Sequence, residues 1–211
     1  IMTSSSNRLS EYLLQIKAIQ LNVQSPFNWA SGWKSPVYCD NRIILSYPEV
    51  RNFVKSELVK LVQANFPDAN CIAGVATAGI PHGAMIADAL GLPMVYVRDK
   101  PKGHGMQNTI EGRLPENARV VVIEDVISTG KSSLKAVDDL KNAGATIEGM
   151  AAIYTYEFSL AKNRFLELGI PLVTITNYSD LIAVAVKTGE VNSEFLPTLN
   201  EWREKPEIWK Q

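Results

Sequence analysis

Residues 120–133 read VVVIEDVISTGKSS, and this run decides the fold. Four apolar residues lead into two acids, Glu124 and Asp125. Small residues follow, and then SSLKAVDDLKNAG, whose apolar positions recur at helical spacing and end on glycine. The pattern is that of a buried strand, a short loop and an amphipathic helix. The closing GKSS has the ending of a nucleotide-binding P-loop, GxxxxGK[ST], but that pattern requires glycine at position 125, where aspartate stands. A bare triphosphate would be repelled there, and the P-loop reading is set aside.

Taken on its own terms, the loop is an anion cup. The main-chain N–H groups of Ser128, Thr129 and Gly130, backed by a helix start, aim partial positive charge at one point. Ser128, Thr129, Ser132 and Ser133 add hydroxyl donors. A single phosphate suits such a cup. The acids would sit at the C-terminal edge of the sheet, where open α/β folds bind ligands. Carboxylates accept hydrogen bonds from vicinal hydroxyls, so the ligand class implied is a sugar phosphate. Acids at this place also cap helix starts, but two of them directly after four apolar residues fit the sugar better.

Working outward, strands and helices alternate. CIAGV (71–75), PMVYV (93–97), RVVVIE (119–124), ATIEGMAAIYTY (145–156) and residues 171–176 read as strands. Helices are expected at 81–91, 132–144, near 158–168 and at 178–188. This alternation implies a parallel sheet covered on both faces. Upstream, Leu9, Tyr12, Leu13, Ile16 and Ile19 predict a helix over 6–21, and a second helix follows Pro48. SPFNWASGWKSPVYCDNRIIL (25–45) predicts short strands and turns. The tail 192–211, with Trp202 and Trp209, predicts a helix packed on the body. The connection 98–118, RDKPKGHGMQNTIEGRLPENA, has three glycines, two prolines and little to bury. A connection of this kind reads as an active-site lid.

Composition bounds the function. The chain has 211 residues with 46% hydrophobic content, enough for one α/β domain. Its net charge of −1 gives no field to draw nucleic acid. Cys39 and Cys71 form no CxxC pair, which argues against a disulfide scaffold or a zinc site and for a reducing cytoplasm. No run of 18 apolar residues occurs, and the N-terminal stretch lacks the apolar core of a signal peptide.

The segment Val121–Gly130 resembles the 5-phosphoribosyl 1-diphosphate (PRPP) motif of type I phosphoribosyltransferases: hydrophobic strand, two acids, two small apolar residues, then a hydroxyl- and glycine-rich loop. Three further segments are similar to the orotate phosphoribosyltransferase branch. They are YVRDKPKGHG, like its catalytic loop; GVATAGIPHGAMIA (74–87), like its pyrophosphate loop; and WASGWKSPVYCDNR (29–42), like its N-terminal SGxxSPxYxD segment. The resemblance implies the type I phosphoribosyltransferase fold, a mostly parallel sheet flanked by helices. Its parts would be an N-terminal helix and hood (1–45), an α/β core (46–190) and a helical tail (191–211). It implies that Glu124 and Asp125 hold the ribose hydroxyls, and that Val126, Ile127, Ser128, Thr129, Gly130, Lys131 and Ser132 line the 5-phosphate site. Arg98, Lys100, Lys102 and His104 are expected on the diphosphate, with Arg98, Lys102 and His104 catalytic. Thr77, Ala78 and Gly79 form the expected pyrophosphate loop, and Ser128, Lys34 and Tyr38 the expected orotate contacts. Trp29 and Trp33 read as packing residues. Mg²⁺ is expected to bind mainly through PRPP, and the chain to work as a homodimer whose loop reaches the neighbour's site.

The chemistry agrees with these residues. Breaking the bond from ribose C1 to pyrophosphate leaves an oxocarbenium-like sugar and a highly charged leaving group. Catalysis then needs charge stabilisation and exclusion of water, which a basic lid supplies on closing. Lys102→Ala is expected to depress turnover far more than stability. The sequence departs from many family members at Ala30, Ala78, Asp99 and Thr155–Tyr156, positions concerned with the base and the diphosphate, and at Lys131 in the phosphate loop. Transfer to a purine, and a non-enzymatic PRPP sensor, are the competing readings. The RDKPKGHG loop and the balanced charge weigh against them.

Overall fold

The β-branched run at 119–127 forms the middle of the sheet. The computed structural model describes residues 4–100 and 109–210. In chain order these form α1 (Ser5–Gln15), β1 (Ile19–Leu21), β2 (Phe27–Asn28), β3 (Lys34–Ser35), β4 (Val37–Cys39) and a 3₁₀ turn (Asn41–Ser46). They continue with α2 (Pro48–Asn65), β5 (Cys71–Val75), α3 (Gly79–Leu90), β6 (Met94–Val97), β7 (Ile110–Glu111), β8 (Arg119–Ile127) and α4 (Lys131–Asn142). The chain closes with β9 (Thr146–Thr155), α5 (Ser159–Glu167), β10 (Leu172–Asn177), α6 (Tyr178–Thr188), a short 3₁₀ turn (Ser193–Phe195) and α7 (Leu196–Glu204).

The main sheet has the order β10-β9-β8-β5-β6-β7. Its first five strands are parallel, and β7 pairs antiparallel with β6. Alternate residues of β8 face opposite layers, as the two-residue period of a strand demands. Val121 and Ile123 join a core with α1, α2, α3, α6 and α7, whereas Val120 and Val122 join one with α4 and α5. Burial on both faces explains why the strand reads as an unbroken apolar run. The chain order β5, β6, then back across β5 to β8 places a topological switch point between β5 and β8.

Three expectations need correction. The N-terminal helix stops at Gln15, not 21, because Lys17 takes φ +59° and Ile19–Leu21 instead pairs antiparallel with β4. The connection 98–118 is not devoid of structure: Ile110 is buried and Ile110–Glu111 adds an edge strand to β6. The strand expected at 119–124 runs three residues further, because β8 stays paired with β9 up to Ile127↔Thr155.

The 25–45 segment does form short strands, and the tail does pack as a helix. Trp202 of α7 is fully buried, donates from Nε1 to the Lys34 carbonyl at 3.2 Å, and meets Trp29 edge-on at 5.7 Å. Tyr156 and Phe158 stack at 5.3 Å in the same cluster. Aromatic packing thus ties the hood (27–39) to the end of β9 and to α7, and Trp29 and Trp33 are packing residues as expected.

Candidate active site

Three loops meet at the C-terminal edge of the sheet because three neighbouring strands end there. β8 delivers the acids and the phosphate loop, β5 delivers residues 76–78, and β6 delivers Arg98. Adjacent strands lie about 4.8 Å apart, so a ligand lying across β8, β5 and β6 meets all three loops within roughly 10 Å.

Glu124 and Asp125 differ in role. Glu124 is buried, its Oε1 accepting from the Asp125 main-chain N–H at 3.0 Å and its Oε2 from Ser133 Oγ at 3.0 Å. This carboxyl braces the start of α4 and also meets the Asp125 carboxyl. Asp125 is half-buried and its side chain stands at the rim. Burial, then the neighbouring acid, pushes the Glu124 carboxyl well above the usual carboxylate range; burial also raises Asp125. Burial is the first cause of both shifts, and a partner bringing hydroxyl groups or a cation would favour the charged forms.

After β8 the chain turns through Ser128, Thr129 and Gly130 into α4. Ser128 and Thr129 are half-buried, and Lys131 and Ser132 are exposed at the helix start. Gly130 sits at φ +74°, a conformation that L side chains disfavour. The N–H groups of Thr129 and Gly130 have no acceptor among the described residues. Ile127 points its side chain into the core and Val126 packs against it, so only their main chain is open to a ligand.

The loop after β5 is held close by glycine. Gly79 opens α3 against β8; a Cβ there would lie 2.5 Å from the Ile123 carbonyl oxygen. The Ala76–Thr77 peptide is cis, and Thr77 is exposed. Arg98 ends β6, where its N–H donates to the Thr109 carbonyl at 2.7 Å and its guanidinium pairs with Glu111 at 3.4 Å. Thr109 Oγ1 donates to Asp139 of α4 at 3.0 Å, and Asp139 also takes Lys135 at 2.8 Å. Lys100 is exposed; Lys102 and His104 lie outside the described residues.

From the hood, Asn41 donates through Nδ2 to the Asp125 carbonyl at 3.0 Å. Arg42, paired with Asp40 at 2.7 Å, is near enough to lower the Asp125 carboxyl against the effect of burial. Tyr38 is exposed on this side and leans on Phe27 at 5.7 Å. The Lys34 side chain is exposed on β3, while its carbonyl is taken by Trp202. Among the described residues no three His, Cys, Asp or Glu side chains are placed to hold a metal ion. No described helix is long and apolar enough to cross a membrane.

The phosphoribosyl transferase domain family matches residues 55–168, which run from within α2 through α5. An orotate phosphoribosyltransferase of Cytophaga hutchinsonii is 54% identical over 199 residues, 94% of this chain and 95% of that protein. This chain belongs to the orotate phosphoribosyltransferase family. A second member, from Listeria innocua, is 51% identical over 98% of this chain and 99% of its own. Among solved structures, the orotate phosphoribosyltransferase of Aeropyrum pernix matches with a TM-score of 0.75 and 29% identity, over 87% of this chain and 99% of that one. An adenine phosphoribosyltransferase of Leishmania tarentolae shares the fold at a TM-score of 0.62 and 24% identity, over 84% of this chain and 91% of that one. The fold alone therefore does not choose the base. The crevice at the switch point is the candidate site. Sequence reasoning missed Asn41 and Arg42 beside the acids, and it placed Ser133 among the cup's hydroxyl donors, whereas Ser133 donates to Glu124. Asn41 and Arg42 stood in the quoted CDNR run, and Ser133 falls nine positions after the acid it braces.

Proposed function

We propose that this chain transfers the phosphoribosyl group of PRPP to orotate, forming orotidine 5′-monophosphate and pyrophosphate in pyrimidine synthesis. The observation that carries this reading is the convergence, at one switch point, of a phosphate cup with free N–H donors, a rim carboxyl and the Thr77 loop. The 5-phosphate takes the Ser128–Ser132 cup, and Asp125 accepts from the ribose hydroxyls. Glu124 holds that strand end in place. The diphosphate runs over Thr77, Ala78 and Gly79 toward Arg98, Lys100, Lys102 and His104. Orotate lies between Ser128 and the hood at Lys34 and Tyr38, with Arg42 adding positive charge toward its carboxylate.

In the reaction, N1 of orotate, already freed of its proton, forms a bond to ribose C1 as the C1–oxygen bond breaks. That bond's electron pair leaves with pyrophosphate. The transition state carries positive charge on the sugar and growing negative charge on the diphosphate. Cations of the 98–104 segment stabilise the second, and covering the site keeps water from the first. Mg²⁺ would be held mainly by the diphosphate, with Asp125 a carboxyl that could accept from its bound water. Bound there, the ion would neutralise the leaving group. A homodimer in the cytoplasm, each 98–104 segment serving the partner's site, completes the proposal.

The test is an orotate-depletion assay with purified protein, PRPP and Mg²⁺, run beside adenine, hypoxanthine and uracil. Orotate alone should be consumed; consumption of a purine in its place overturns the substrate assignment. Chelation of Mg²⁺ should stop turnover, and gel filtration should give twice the chain mass.

A further inference from the structure

Arg164 lies on the last turn of α5, thirty-five residues beyond the phosphate loop, and its Nη1 donates to the Thr129 carbonyl at 2.8 Å. No other partner holds it: Arg164 pairs with no carboxylate among the described residues. An arginine with one hydrogen bond and no counter-ion, set against an anion cup, calls for an explanation.

The geometry supplies one. The Thr129 carbonyl and the Gly130 N–H belong to the same peptide unit. The cis bond among the described residues is Ala76–Thr77, so the 129–130 unit is trans and its C=O and N–H point in opposite directions. A donor that fixes the carbonyl from behind fixes the direction of the N–H in front. The Gly130 N–H is one of the loop's donors left without a protein acceptor. Phe165, the next residue of α5, packs under the same turn: a Cβ on Gly130 would meet its ring at 3.0 Å. One edge of α5 thus forms the back wall of the loop. Hydrogen bonding from a cation to the carbonyl also polarises the peptide and strengthens its N–H as a donor. Counting bond lengths through the peptide, the guanidinium lies within roughly 8 Å of a phosphate oxygen bound to that N–H.

We propose that Arg164 is a positioning residue of the 5-phosphate site. Its guanidinium sets the plane of the Thr129–Gly130 peptide so that the Gly130 N–H faces the phosphate, and it supports the cup with positive charge from behind. The inference rests on the phosphoribosyl-transfer reading, and ribose 5-phosphate, which carries the phosphate and the diol but no diphosphate, separates the two.

The test compares Arg164→Met, Arg164→Gln and Arg164→Lys with the unaltered full chain. Calorimetry gives the Kd for ribose 5-phosphate, and steady-state kinetics give kcat and the KM for PRPP and for orotate. Arg164→Met should raise the ribose 5-phosphate Kd and the PRPP KM by about tenfold to a hundredfold. The KM for orotate and kcat should stay within about threefold, and Arg164→Lys should recover part of the loss. An unchanged Kd in Arg164→Met overturns the inference. So does a rise in both KM values together with a fall in Tm, because that is the mark of a brace for the fold alone. Should Arg164→Met not fold, the two polar variants decide: affinities equal to the unaltered chain in both overturn the inference, and loss in Gln with recovery in Lys supports it. If orotate is not turned over but the variants still lose ribose 5-phosphate affinity, the substrate assignment falls and the role of Arg164 stands.

Discussion

Substituting alanine at Gly79 tests whether the contact between α3 and β8 holds the diphosphate end of the site in register with the ribose end. The new Cβ would lie 2.5 Å from the Ile123 carbonyl oxygen and 3.5 Å from Glu124 Cα, both main-chain atoms. Ordinary contact begins at 3.4 Å, so the helix start and the strand must part by about 0.9 Å. β8 cannot give way cheaply, because it lies in the middle of the sheet with Val120 to Ile123 fully buried. The shift therefore falls on Thr77, Ala78 and the first turn of α3. Misplacing a reacting group by about 1 Å costs on the order of 10²-fold in rate. Forced packing costs about 1–3 kcal/mol, or roughly 3–10 °C in Tm for a chain of this length. The assay is kcat/KM for PRPP together with a thermal melt. Gly83→Ala, one turn along the same helix, is the control: its Cβ would meet the flexible Met94 methyl at 3.1 Å and the Gly74 main chain at 3.3 and 3.4 Å, far looser than the 2.5 Å approach at Gly79, and activity should stay within about threefold, as packing costs this small allow. If Gly79→Ala keeps near-normal kcat/KM, or if both variants fall alike, the close approach is not what aligns the two loops.

The remaining predictions concern buried groups. The Glu124 carboxyl is raised in the folded chain, so its contribution to stability is present at low pH and is lost as pH rises through the raised value. Glu124→Gln should therefore be more stable than the parent above about pH 5 and converge with it below, read from urea melts across that range; parallel profiles would refute this. His82 runs the other way. It is buried with Nδ1 unpartnered, and burial lowers it to about 4 from 6.5. Folding stability should fall by about 2–3 kcal/mol between neutrality and pH 4, and His82→Gln should flatten that slope; an unchanged slope would exclude His82 as its cause. Trp202→Ala removes a fully buried indole from the aromatic cluster and should cost about 3–5 kcal/mol in chemical denaturation; a loss under about 1 kcal/mol would mean that α7 does not hold the hood.

The central sheet was legible because its strands are buried on both faces and so appear as short apolar runs between helical periods. Local pattern failed where a tertiary partner decided the outcome. Ile19 continues the helical spacing of α1, but its pairing with Cys39 places it in a strand. Val126 and Ile127 read as loop because acids precede them, yet β9 offers them a ladder. The phosphate cup could be read because loop, hydroxyls and helix start are contiguous. The bond from Ser133 to Glu124 could not, since either acid alone has the same local signature. Asn41 reaches the Asp125 carbonyl across 84 positions and Arg164 reaches the cup across 35, separations over which no spacing rule operates. Lys102 and His104, the most legible of the expected catalytic residues, lie outside the described residues.

The interlock between hood and α7 bears on how the chain comes to life at the ribosome. Lys34 and Trp29 wait for Trp202, and α1 is pinned to β10 and α6 through Ser10–Thr176 and Ser6–Asp180 contacts at separations of 166 and 174 residues. Sections synthesised first are thus among the last to acquire their native neighbours. A nascent polypeptide with β5 through α5 already emerged could assemble the sheet, but its hood would stay unfastened until α7 had emerged. Competence to handle substrate should then arrive abruptly with the emergence of α7, and not grow in proportion to length.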